Sequence, residues 1–220
     1  MVFSEALSGD NLMRLHLQKL QGREILRFNF GHTLANFNTT DIRIYGWDCL
    51  LGPLASNVIN PSSFANEKVT FIKTDTSVDS YAFVRLNSIN NHAFIFKMML
   101  NTIELSFLSK IKFTLNNTGI LKCKIALKIK GKGWIISNSN FNHTGNGASA
   151  VTPVTKEQFE LNVLTEEWKY FDVVPNSHMV VKNDNYVLNN LDAIVSFGVY
   201  FYDSQVINNI ARVTDIIFEK

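Results

Sequence analysis

Leu121-Lys122-Cys123-Lys124-Ile125-Ala126-Leu127-Lys128-Ile129-Lys130 is the stretch on which the fold turns. Lysines stand at the even positions 122, 124, 128 and 130, and apolar residues at the odd positions from Leu121 to Ile129. Successive side chains of a strand point to opposite faces, whereas a helix would scatter both classes around its axis. The stretch therefore reads as a strand with one buried face and an exposed row of four lysines. The same period of two, or short apolar runs, recurs along the chain. It marks expected strands at 25–30, 42–46, 69–74, 81–86, 93–100, 102–107, 111–115, 121–130 and 134–137. Further ones follow at 159–163, 168–174, 179–182, 193–202 and 212–219. Between them lie Asn, Gly, Ser and Asp. Many of the 25 asparagines fall in turn-forming pairs such as Asn90–Asn91 and Asn189–Asn190. The runs 93–100 and 193–202 are apolar on both parities, which suits strands covered on both faces by their own domain or by neighbouring subunits. More than ten short strands without alternating helical blocks predict an all-β sandwich or barrel.

Composition supports one packed domain. The 220 residues are 46% hydrophobic, 18% charged and 12% aromatic, unlike a disordered chain. No linker rich in Gly, Ser or Pro divides them, and the loop 50–67 is the longest stretch without periodicity. The expected organisation is an N-terminal arm over 1–26, acting as an assembly anchor, and a single sandwich over 27–220. Within the arm, 8–20 fits either a helix capped by Ser8 or an extended segment. No apolar run is long enough for a membrane-spanning helix, and no secretory signal is expected. Two cysteines, Cys49 and Cys123, make neither a disulfide framework nor a four-cysteine zinc site.

Motifs of catalysis are absent. None of the five histidines sits in a nucleophile or metal-ligand signature, and Gly145-Asn146-Gly147 lacks the Lys and Thr of a phosphate loop. Glu166–Glu167 reads as solvated turn surface. A non-enzymatic protein is therefore expected, with no cofactor. The charge layout is more informative. The net charge is only +2, yet residues 105–156 contain eight lysines and no Asp or Glu. Lys122, Lys124, Lys128 and Lys130 are candidates for contact with an anionic partner. The alternative is a solvated strand whose lysines block edge pairing. The stretch has no Arg and little aromatic interleaving, which argues against nucleic acid. Trp47, Trp134 and Trp168 are candidates for stacking on sugar rings, or else for the core. Parity groups Trp168 with Tyr170, Asp172 and Val174, opposite Lys169, which favours a buried Trp168.

Two stretches carry a family resemblance. Leu164-Thr165-Glu166-Glu167-Trp168-Lys169-Tyr170-Phe171 resembles the T-x-x-W-x-x-F strand of carbohydrate-binding-module sandwiches that recur in bacteriophage tail, baseplate and head-fibre proteins. Arg212-Val213-Thr214-Asp215-Ile216-Ile217-Phe218-Glu219-Lys220 is similar to their closing strand, and Gly9-Asp10-Asn11-Leu12 to their entry. The resemblance covers about residues 101–220. It implies a jelly-roll-like antiparallel β-sandwich serving as a structural virion component, made in the host cytoplasm and facing host glycans. Its expected partners are other virion proteins, further copies of itself as a homo-oligomer, and a cell-surface glycan. The alternatives are a free-standing carbohydrate-binding module or a viral jelly-roll capsid subunit. Some family members bind calcium near the last strand, which makes Asp215 a candidate ligand; a strand-edge Asp is the other reading.

Overall fold

The computed structural model describes residues 24–29, 46–52, 68–73, 80–86, 92–118, 121–142, 157–175, 177–202 and 209–220. Thirteen strands are found among them. They are β1 (Glu24–Asn29), β2 (Trp47–Leu51), β3 (Lys68–Lys73), β4 (Ser80–Leu86), β5 (Ala93–Glu104), β6 (Lys110–Thr118) and β7 (Lys122–Ile129). The remainder are β8 (Gly133–Ser137), β9 (Glu157–Asn162), β10 (Trp168–Val174), β11 (His178–Tyr186), β12 (Ala193–Tyr202) and β13 (Asn209–Glu219). All pairings are antiparallel. A six-stranded sheet runs β3-β4-β13-β6-β9, with β1 also on β13, and a seven-stranded sheet runs β11-β10-β8-β7-β12-β5-β2. The expected all-β sandwich is what the chain forms.

Some boundaries differ. The expected strands 93–100 and 102–107 are one long β5, closed by a single 3-10 turn at Leu105–Phe107. The second strand starts at Trp47, while the expected 42–45 lies outside the described residues, as do 1–23 with the helix or extended segment expected at 8–20. The arm boundary at residue 26 falls inside β1, whose Leu26, Arg27 and Phe28 pair with Phe218, Ile217 and Ile216 of β13. Residues 24–26 thus belong to the sandwich.

Alternation explains the core. In β7, Cys123, Ile125, Leu127 and Ile129 are buried against the other sheet, as their odd positions predict. From the six-stranded sheet come Ala82, Val84, Leu86, Ile111, Phe113, Leu115, Ala211, Val213, Ile216 and Phe218. Trp168 is 1% exposed within this core, and its indole Nε1 donates to the Val163 carbonyl at 3.0 Å. That bond satisfies the one polar group which burying a tryptophan would otherwise strand. Trp47 is also buried in the core, edge-on to Phe28 and Phe197. The β7–β8 turn closes through Gly131 and Gly133, whose φ angles of 73° and 105° are ones that side-chain-bearing residues rarely adopt.

Candidate glycan-binding face

Among the described outward side chains of the six-stranded sheet, Lys110 meets Glu160 at 2.6 Å and Lys112 meets Glu219 at 2.8 Å. On the seven-stranded sheet the outward side chains form a second apolar cluster, separate from the core. It comprises Leu50, Phe94, Ala126, Ile136, Phe171, Met179 and Tyr200, with Phe96, Trp134, Val173, Val181 and Tyr202 partly buried around it.

Register shows how that cluster is built. Gly198 pairs with Ala126 of β7 on one side and Phe96 of β5 on the other. These small residues in mid-sheet leave room that aromatic rings fill from both flanks. A Cβ on Gly198 would come within 2.6 Å of the Phe94 ring and 2.5 Å of the Ile95 carbonyl oxygen. Phe94 stacks on Phe96 at 5.0 Å and meets Trp134 at 4.9 Å and Phe171 at 5.1 Å, both edge to face. Such geometries satisfy the ring quadrupoles. Tyr200 joins through Phe171 at 5.1 Å and stacks on Tyr202 at 5.6 Å. Its phenol is pushed up to about 12 by burial and then by Tyr202.

Lysines border these rings. Lys128 pairs with Trp134 across β7 and β8 and holds its ammonium 5.8 Å from the indole centre, within cation–π range. Lys124 pairs with Tyr200, and Lys122 with Tyr202. Lys169 lies opposite Ile136. The exposed row expected from the sequence needs correction here. Lys124 is buried, its ammonium donating to the Ser137 and Asn138 carbonyls at 2.9 and 2.6 Å. Lys130 leaves the row for the β7–β8 turn. Burial, and after it the Lys169 charge, hold the Lys124 ammonium below its ordinary pKa, with the Glu166 carboxylate opposing.

At this end of the face lie Asn138, Asn140 and Asn142. The Tyr202 hydroxyl donates to Asn140 Oδ1. Asn142 Oδ1 is buried without a hydrogen-bond partner, as is His92 Nε2 beside Tyr200. Glu166 receives the Ser139 backbone N–H and hydroxyl, both at 2.7 Å.

Of the three candidate tryptophans, the structure brings Trp134 alone to this face. Trp47 and Trp168 turn inward, because their strand positions share the parity of the core. They offer a ligand no surface, which corrects the stacking expectation for Trp47 and agrees with the buried position favoured for Trp168. Sequence reading missed Phe94, Phe96, Tyr200 and Tyr202 as face residues; their only signal was the two-sided apolar character of 93–100 and 193–202. Asp215 pairs with Asn29 through the backbone, and its side chain lies outside the described ones. Among the described residues, no three His, Cys, Asp or Glu side chains converge on one position. Ser177, His178 and Asp172 do form a chain, with 2.9 Å from Ser177 Oγ to His178 Nδ1 and 3.1 Å from His178 Nε2 to Asp172 Oδ2. Lys182 also holds Asp172, at 3.2 Å. A hydrolytic triad needs a buried, water-excluded carboxylate; Asp172 and His178 are each 39% exposed, so the chain reads as a strand-edge ion-pair cluster.

No protein-family model matches the chain, and neither does any curated protein sequence. Solved structures similar to it include the family 11 carbohydrate-binding module of the cellulosomal cellulase Lic26A-Cel5E of Clostridium thermocellum. That module is 11% identical and matches over 89% of this chain and 95% of its own, with a TM-score of 0.49. A non-crystalline cellulose specific carbohydrate-binding module, CBM28, is 10% identical over 86% of this chain and 96% of its own, with a TM-score of 0.48. The enzymatically active domain of tailspike protein 4 from bacteriophage CBA120 is 12% identical over 85% of this chain but 21% of its own, with a TM-score of 0.41.

Proposed function

We propose that the protein is a glycan-binding β-sandwich whose ligand lies across the outward face of the seven-stranded sheet. The observation that carries this reading is the aromatic cluster on that face, where Trp134, Phe96 and Tyr202 stand half-buried around Phe94, Phe171 and Tyr200, bordered by lysines and asparagines. An apolar patch with a polar rim marks a place where something binds. Sugar rings suit it, having apolar faces for aromatic contact and hydroxyls for the Asn and Lys groups. Affinity electrophoresis through gels containing soluble polysaccharides tests the reading. Migration should be retarded by at least one polysaccharide, and Trp134→Ala should abolish the retardation while leaving the melting temperature within a few degrees of wild type. Retardation unchanged in Trp134→Ala would place the ligand elsewhere.

The particle setting expected from the sequence belongs to the same proposal: a sandwich displayed on a bacteriophage virion, assembled with itself and other particle proteins, would bring this face to host glycans. Its support is the resemblance in residues 164–171 and 212–220. Antibody labelling of purified particles tests it, and particles free of the protein would refute it.

A further inference from the structure

Two ammonium groups share one corner of the outward face. Lys169 sits on β10 beside Ile136, and Lys124 reaches from β7 to the carbonyls that end β8. Lys124 is 9% exposed, and both of its hydrogen bonds go to neutral carbonyls. Glu166, the nearby carboxylate, is engaged by Ser139. Like charges held together with one of them out of water are costly, and a bound anion relieves that cost. Lys128 adds a third cation farther along β7, over Trp134. The cations are thus set along β7 and β10, with Trp134 on β8 between the two strands.

We infer that this face selects a carboxylated polysaccharide, a uronic-acid polymer, over a neutral one. The inference rests on the glycan-binding reading and specifies its ligand. A uronan carries its carboxylates on the sugar rings that form its backbone. One chain therefore presents apolar ring faces to Trp134 and Phe96 and carboxylates to Lys124, Lys128 and Lys169. A polyol joined by phosphodiesters offers charge without backbone rings and leaves the aromatic residues unused. Electrostatic complementarity of this kind sets specificity more than overall affinity.

The test compares polygalacturonate with its fully methyl-esterified form, which keeps the backbone and removes the charge. Affinity electrophoresis of the full chain at low ionic strength should show retardation by polygalacturonate that is lost on esterification and weakened by added salt. Lys169→Gln and Lys128→Gln should each weaken it by about two- to fivefold, the effect of one exposed charge pair. Lys124→Met should weaken it further, read only where its melt shows a folded protein. Equal retardation by both forms, or by a neutral glucan alone, would overturn the uronan assignment and leave the glycan-binding reading standing. Competition by polyphosphate as strong as by free polygalacturonate would overturn it in favour of a general anion surface. Retardation by no polysaccharide, charged or neutral, would overturn both.

Discussion

Trp168 shows what one side chain contributes when its strand position points inward. Its ring is enclosed between the sheets and its one donor is matched by Val163. Trp168→Ala should therefore destabilise the protein by about 3–5 kcal/mol, the range for deleting a large buried aromatic. Urea denaturation measures it, and a melting temperature equal to wild type would refute core packing. Asp192 is a buried residue of another kind. Its carboxylate accepts from the Tyr186 hydroxyl at 2.7 Å, the Asn189 backbone at 3.0 Å and the Lys132 ammonium at 2.7 Å, tying the β7–β8 turn to the loop before β12. Asp192→Ala should cost about 1–3 kcal/mol, because it leaves the Tyr186 hydroxyl unmatched. The parity of Trp168 was legible from sequence. The partners of Asp192 were not, since they come from residues up to 60 positions away.

Along β7, two lysines that look equivalent in sequence should behave differently. Lys128→Gln is expected to change stability by less than about 0.5 kcal/mol, as exposed substitutions do. Lys124→Met should cost about 1–3 kcal/mol, because two carbonyls lose their shared donor. Thermal melts of the pair decide the matter, and equal losses would return both residues to a solvated row. At the start of the chain, β1 is held by its ladder on β13 and by Phe28, which packs on Phe197 at 4.3 Å and edge-on to Phe218 at 6.0 Å. Deleting residues 1–23 should preserve cooperative unfolding, whereas deletion through Asn29 should cost more than about 2 kcal/mol in lost aromatic packing. Unfolding of the shorter deletion would make residues 1–23 part of the folded unit. The strands themselves were legible because alternation is local. The joining of 93–100 to 102–107 as one β5 was not, since the ladder with β12 breaks register after Met98 and resumes at Ile103, beyond the polar Asn101–Thr102.

Acid should destabilise the protein over a window set by its matched carboxylates. Burial raises the pKa of Asp192, but hydrogen bonds from Lys132, Tyr186 and Asn189 outweigh it and hold the carboxyl below its ordinary value. Hydrogen bonds from His178 and Lys182 lower Asp172 likewise. A carboxyl depressed in the folded state contributes stability that is complete above its unfolded pKa of about 3.9 and is lost as pH falls through the lower folded value. Urea midpoints should therefore hold steady down to about pH 4 and fall below it, with Asp192→Asn starting lower and losing less. Parallel losses in both proteins would assign the acid sensitivity elsewhere. Such a carboxylate becomes matched only through the sandwich, and the same holds for the binding face. Period-two alternation told which residues of β7 turn inward, because side-chain direction along a regular strand depends on nothing beyond the strand; on β10 it told this for Trp168 alone, since the register shifts between Lys169 and Phe171 and leaves Tyr170 and Val174 exposed while Phe171 is buried. It did not tell which strands would lie side by side. Strands apolar on both parities, β5 and β12, leave open which of their faces meets the other sheet. Pairing between residues distant in the chain settled both points: it set Gly198 against Ala126, gathered Phe94, Trp134, Phe171 and Tyr200 from four strands, and placed Lys169 beside a buried Lys124.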